Sequence, residues 1–255
     1  MLTEMNRKNI ELVRITKTAS LLMQSGVSIN SIPSIIVERC LQEQNTDGGW
    51  VGVLDTMWNV FFLKKINESQ FHNQIKAGEK FLLDQKNKDG LWGRSKRDIS
   101  RIPVTGLMLY LLPELGQKDI LKNIEILWCT EKNSLTYKAA YILMVFRKTG
   151  HNPDNDALIP ETVAWLAANQ KEDGGFSPWK EHPVISDVFC TAIATLGLLQ
   201  YREIVDPTIF EGAFQWLIKN QMNNGIWRFH EIEDGASWGL LTMTELLKNG
   251  VLTNG

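Results

Sequence analysis

The chain has little cysteine, no surplus of either charge and no long apolar run, and each shortage removes a class of protein. Three cysteines among 255 residues, Cys40, Cys129 and Cys190, are odd in number and lack metal-type spacing. A disulfide-stapled scaffold is thereby excluded, and reduced thiols in a cytoplasm are expected. Lys and Arg number 27 against 29 Asp and Glu, so no charge bias directs the chain toward nucleic acid or an acidic membrane. No stretch reaches the ~18 uninterrupted apolar residues of a transmembrane segment. Met1 to Gly26 mixes Glu4, Arg7, Lys8, Glu11, Arg14 and Lys17 into its apolar positions, and reads as neither a signal peptide nor an anchor. Strand-type alternation is also missing.

What is present is a recurring phrase: Gln, two or three residues, Asp or Asn, Gly, one residue, then an aromatic. It occurs as Gln44 to Asp47-Gly48-Gly49-Trp50, Gln85 to Asp89-Gly90-Leu91-Trp92, Gln170 to Asp173-Gly174-Gly175-Phe176, and Gln221 to Asn224-Gly225-Ile226-Trp227. Gly48, Gly90 and Gly174 are spaced by 42 and 84 residues, one and two lengths of a single period, with a decayed copy over 119–146 that keeps Trp128 and Asn133. Gly225 follows after 51, so the last connection carries an insertion. About six such units fill one domain over 1–255, and a repeat this short and closed in number points to a ring rather than an open array.

Each unit reads as two helices. Good helix formers lead into the Asp-Gly turn, and a second apolar run follows a variable loop. This predicts helices near 5–24, 32–44, 55–66, 71–86, 102–114, 117–129, 135–148, 160–170, 186–202, 207–221 and 235–249. The runs after the turns, such as Trp58 to Leu63 and Thr191 to Leu199, are apolar all round and belong inside, while those before them carry a polar face. The expected fold is all-α, an α/α toroid of about six inner and five to six outer helices. Within it the phrase acts as a clamp. Glycine permits a left-handed exit, Asp or Asn supports the turn, the Gln amide meets helix-end groups, and the aromatic packs across the loop.

The phrase resembles the QW motif of the squalene-hopene and oxidosqualene cyclase family. The wider superfamily includes the β subunits of protein prenyltransferases and the β domains of class II diterpene cyclases. Trp165 to Phe176 and Trp216 to Trp227 match best, and the pattern covers nearly the whole chain. The resemblance implies the toroid, and in a length of one toroid where the cyclases carry two. Class II cyclases protonate an alkene or epoxide with the middle Asp of Asp-x-Asp-Asp-Thr. Here the nearest match is Gly52-Val53-Leu54-Asp55-Thr56, with Leu54 at the donor position. Asp55 is then either a helix N-cap or an alternative acid. Asp187-Val188-Phe189-Cys190-Thr191 resembles the prenyltransferase zinc segment with Cys190 in place of His, but the remaining ligands have no counterpart, so no metal is expected. Arg94 and Arg97 resemble the Arg and Lys that hold a prenyl diphosphate; magnesium would accompany such a ligand, and otherwise no cofactor is implied.

Asp187 begins the most apolar inner run, with His182 just before it, which makes the pair an acid/base candidate beside its alternative role as a cap. His230 stands in the corresponding loop of the next unit. Trp58, Phe61, Tyr110, Tyr137, Tyr141, Phe189 and Trp238 fall on predicted inner helices; ring faces of this kind stabilise a cation by about 1–2 kcal/mol per contact. The expected function is a small terpene-cyclase-like enzyme. It would take an isoprenoid or prenylated hydrophobic substrate and cyclise or isomerise it by proton transfer through Asp187, Asp55 or His182. Two readings stand beside it: a non-catalytic toroid that binds a hydrophobic ligand or a partner protein, and a prenyl-diphosphate-dependent transferase. A partner domain or a homo-oligomer fits either.

Overall fold

The computed structural model of the chain describes residues 1–116, 120–131, 135–150, 157–183 and 186–250. The described residues form twelve α-helices and no strand. They fall into two compact units, Met1–Thr130 and Glu131–Gly255. Unit 1 holds α1 (Leu2–Arg7), α2 (Leu12–Gln24), α3 (Ser34–Gln42), α4 (Val53–Asn67), α5 (His72–Asp84), α6 (Ile102–Leu111) and most of α7 (Ile120–Glu131). Unit 2 holds α8 (Thr136–Lys148), α9 (Leu158–Ala167), α10 (Val188–Leu199), α11 (Pro207–Asn220) and α12 (Ile232–Lys248). The expected start of a helix at 117, and Asn133 of the decayed repeat, lie outside the described residues.

The helices alternate in character as their composition demands. α4 is buried without interruption from Thr56 to Leu63, and α10 from Cys190 to Leu199. α3, α5 and α11 bury one stripe each, for instance Phe210, Ala213, Trp216 and Leu217 on α11. In unit 1, α4 packs against α2, α5 and α6; in unit 2, α10 packs between α8 and α12. The α8–α10 approach is close enough that a Cβ on Gly197 would lie 2.7 Å from the Ala140 Cα, a distance that only a glycine allows. The predicted helix over 5–24 is two helices instead. Asn9 takes φ 52 between them, a left-handed turn that asparagine tolerates because its short side chain supports local hydrogen bonding.

The four turns of the recurring phrase share one geometry. Gly48, Gly90, Gly174 and Gly225 have φ of 89, 76, 85 and 81 degrees, and the preceding Asp47, Asp89 and Asp173 each accept the N–H two residues on at 3.0 Å. The Gln44 amide donates to the Gly48 carbonyl at 2.8 Å and to Gln74 on α5 at 2.9 Å. Gln170 repeats this with Gly174 at 2.8 Å and Ile209 on α11 at 2.7 Å. One amide thus closes its own turn and ties it to the next helix pair. Gln85 does not do this. It is one residue further from its glycine than the other three, and its Oε1 accepts from the Lys96 N–H. Lys86 stands at the clamp register instead, reaching the Leu115 carbonyl at 2.9 Å with its ammonium over the Trp92 ring.

The aromatics are anchored in two directions. The indole N–H groups of Trp50, Trp92 and Trp227 donate back to Cys40, Leu82 and Leu217, ten residues earlier in each case, at 2.7–2.9 Å. The backbone N–H groups of Trp50, Trp92 and Phe176 donate forward to the hydroxyls of Thr56, Thr105 and Thr191 at 2.9–3.0 Å. Each of these threonines is the fourth residue of its helix, so the phrase fixes the start of the following buried helix.

Candidate functional site

That common register defines a set of positions, because the third residue of each buried helix stands beside the clamped threonine or its equivalent. These residues are Asp55 on α4, Val104 on α6, Lys138 on α8, Cys190 on α10 and Asp234 on α12. Two are carboxylic acids, one in each unit.

In unit 2 most of the residues singled out in the sequence come together. Asp187 is the N-cap of α10, and its carboxylate accepts the Cys190 N–H at 2.7 Å. Burial pushes the Cys190 thiol up, and the Asp187 charge and a hydrogen bond from the thiol to that carboxylate add to the effect. Tyr141 is pushed up likewise, by burial first, then by the charge of Asp234 and by Tyr137 and Cys190. Both groups therefore stay neutral proton carriers at ordinary pH. Phe189 stacks on Phe229 with centroids 6.0 Å apart and meets Trp238 edge-on at 6.2 Å. Tyr137 meets Tyr141 edge-on at 6.3 Å. The N-terminal turns of α8, α10 and α12 thus gather two phenols, a thiol, two carboxyls and an aromatic wall. His182 lies edge-on to Trp179 at 4.1 Å, and the exposed His230 lies against Phe229 at 4.1 Å.

Asp234 was missed in the sequence. It is buried, 7% exposed, and sits in Glu231 to Gly235, where no Asp-Thr pair marks it. The signal was the register: counted from the start of its helix, it occupies the position of Asp55.

Asp55, Trp58, Arg94 and Arg97 belong to unit 1. Gly52, not Asp55, is the N-cap of α4, which removes the capping role expected for Asp55. Its carboxyl is half-buried, and desolvation pushes it up from its ordinary value against a hydrogen bond from its own backbone N–H. Trp58 is buried and meets Phe61 edge-on at 6.1 Å. Arg94 and Arg97 are exposed on a loop organised by Asp98, whose carboxylate accepts the Arg94 N–H at 3.1 Å and the Arg101 guanidinium at 2.8–2.9 Å. A shallow recess of about 400 Å³ there is lined by Arg97 and Lys88, but also by Asp89 and Asp98. Such mixed charge is a weak attractor for a diphosphate. Among the described residues no group of three His, Cys, Asp or Glu is placed to hold a metal ion, and no helix is long and apolar enough to cross a membrane.

By sequence no family model matches the chain, and no curated protein does. Structure finds what sequence does not. The type II terpene cyclase MstE from Scytonema, in complex with geranylgeranyl dihydroxybenzoate, superposes with a TM-score of 0.70 at 13% identity, over 94% of this chain and 88% of that one. Its apo form gives 0.64 at 14% identity, over 93% and 89%. A possible member of the GH105 family from Klebsiella pneumoniae gives 0.60 at 10% identity, over 94% and 82%. The chain therefore has the all-α, toroid-type fold of the terpenoid cyclases, as its repeats implied. Proteins of different naming share that fold, so the chemistry has to be argued from the site.

Proposed function

We propose that the chain is a terpene-cyclase-like enzyme that takes a prenylated hydrophobic substrate and cyclises or isomerises it by proton transfer. The observation that carries this reading is the cluster at the starts of α8, α10 and α12: the aromatic wall of Phe189, Phe229 and Trp238 beside buried Asp234 and the neutral Tyr141. Ring faces and a carboxylate both stabilise positive charge, and in a desolvated setting they do so more strongly than in water. A carbocation is the intermediate that needs such a wall. The likeness in fold to a cyclase whose substrate is geranylgeranyl dihydroxybenzoate supports a prenylated ligand.

The chemistry requires a proton added to a terminal alkene carbon, ring closure by attack of further alkenes, and loss of a proton from the last cation, so the product is an isomer of the substrate. A donor must carry its proton at working pH. Burial raises the Asp55 carboxyl, the direction a donor needs, and Asp55 is the acid candidate of unit 1 taken by itself. Asp187 is the N-cap of α10 and accepts the Cys190 N–H, which suits it to positioning Cys190 and the start of α10. His182, packed on Trp179, is the remaining base candidate.

Incubation with geranylgeranyl dihydroxybenzoate, polyprenyl alcohols and prenyl diphosphates, with and without magnesium, tests this by chromatography and mass spectrometry. The expected result is a new species of unchanged mass, with turnover reduced about 100-fold or more in Asp55→Asn, the order of a lost acid–base group, and in Asp234→Asn, the order of a lost stabilising charge. Full turnover in both variants would refute the assignment. Recovery of every substrate unchanged would refute the enzyme.

A further inference from the structure

Within unit 2 a recess of about 440 Å³ lies between the C-terminal turn of α11, the turn after it and the start of α10. Lys219 and Arg228 line it, with Trp216, Trp227 and Met222 supplying apolar surface and Asp187 standing at its α10 side. We infer that this recess is a binding site for a small organic acid with an apolar body, which an aromatic carboxylate such as a hydroxybenzoate represents.

The protein itself uses up the other polar groups of the recess. Ser186 donates its hydroxyl to Asp173, the Asn220 amide donates to the Trp216 carbonyl, and Asp187 accepts from the Cys190 N–H. The two indole N–H groups are also committed, Trp216 to Asp173 at 3.0 Å and Trp227 to the Leu217 carbonyl at 2.8 Å. These rings therefore form the apolar base of the recess and offer no hydrogen bond to a ligand. Trp216 and Trp227 are 7% and 1% exposed and are held in one apolar cluster with Val188 and Leu217, so the floor is rigid. Lys219 and Arg228 are different: both are exposed at the mouth, and among the described residues no carboxylate pairs with either. Two positive charges stand against the one of Asp187, whose charge is turned to the α10 N-terminus. A guanidinium fork and an ammonium at the mouth of an apolar-lined recess match a small carboxylate, with the fork taking both oxygens and the body of the acid against Met222 and the little of Trp216 that is exposed. The residues alternate along the connecting segment, Arg228 lining the recess and Phe229 the aromatic wall. The acid is thus either a free small molecule or the head of a prenylated chain.

The inference does not rest on the proposed reaction, and calorimetric titration of the intact protein tests it. The probes are 4-hydroxybenzoate, the neutral 4-hydroxybenzyl alcohol, and geranylgeranyl dihydroxybenzoate. The carboxylates are expected to bind saturably and the alcohol to bind at least about tenfold more weakly, with Lys219→Met and Arg228→Met each weakening the acids about tenfold, as loss of one charge-assisted contact does. Arg228→Lys, which keeps charge but loses the fork, should fall between. Both side chains are exposed, so helix content by circular dichroism should be unchanged in every variant. Charge-dependent binding of both acids identifies a site for a free small acid; charge-dependent binding of the prenylated acid alone identifies a headgroup subsite. No saturable binding of either acid, equal binding of the alcohol, or unaltered affinity in the double variant would each overturn the inference. Turnover is read separately, so the recess and the proposed chemistry can fail independently.

Discussion

Gly174 and Gly225 present the same backbone problem in different surroundings, and replacing each by alanine separates the two reasons for a glycine. Both lie in unit 2 and both have positive φ, 85 and 81 degrees. A Cβ in that region costs about 1–2 kcal/mol through its clash with the backbone. At Gly225 nothing else lies within 4 Å of the added carbon. At Gly174 the carbon would stand 2.5 Å from the Gly212 carbonyl oxygen and 2.8 Å from its carbon. These are backbone atoms of α11 and cannot swing aside. Relief requires α11 to move off the turn, which also pulls Ile209 away from the Gln170 amide. Overpacking of this kind costs about 1–3 kcal/mol more. Gly225→Ala is therefore expected to lose about 1–2 kcal/mol and Gly174→Ala about 2–5 kcal/mol, from the two costs together. Urea unfolding followed by far-ultraviolet circular dichroism measures both, and an unchanged slope would show that stability alone has changed. Equal losses at the two sites would refute the steric argument and leave only the conformational one. The pair Gly48 and Gly90 repeats the experiment in unit 1, since a Cβ on Gly48 would clash with the Ala77 carbonyl and one on Gly90 would meet nothing within 4 Å.

Thr191→Val should destabilise by about 1–3 kcal/mol, because the buried Phe176 N–H loses its acceptor; Thr191→Ser, which keeps the hydroxyl, should cost much less in the same denaturation assay. Cys40 and Cys190 are buried and both thiols are pushed up by burial, while Cys129 is exposed. A thiol reagent should therefore titrate one cysteine in the native protein and three after denaturation. The Asp98 carboxyl is held at about 2, chiefly by the Arg101 guanidinium. Its folded value is depressed, so its contribution to the loop is present above the ordinary carboxylate value of about 3.9 and is lost as pH falls through about 2. Carboxyl titration by nuclear magnetic resonance should show that low midpoint, and Arg101→Gln should return it toward the ordinary value.

The recurring phrase, the alternation of buried and one-faced helices, the left-handed glycines and the cap at Asp187 were all legible in the sequence. They depend on torsions and hydrogen bonds between residues a few positions apart, and spacing along the chain determines those. The break at Asn9 escaped because the apolar pattern continues through it while the backbone turns. Lys86 escaped because a Gln one position away mimics the phrase; only the reach to Leu115, 29 residues on, shows which side chain is the clamp. In the sequence Asp55 reads as a cap or as an acid, because it opens an apolar run; Gly52 takes the cap and leaves the carboxyl to be desolvated. The gathering of Tyr141, Cys190 and Asp234 from three helices, and the recess between Lys219 and Arg228, have no trace in local spacing. Sequence by itself determined the repeat and hence the helical fold, because helix formation and capping are local. Tertiary structure alone decided which side chains share a site, because burial and charge act through space between residues that the chain separates by dozens of positions.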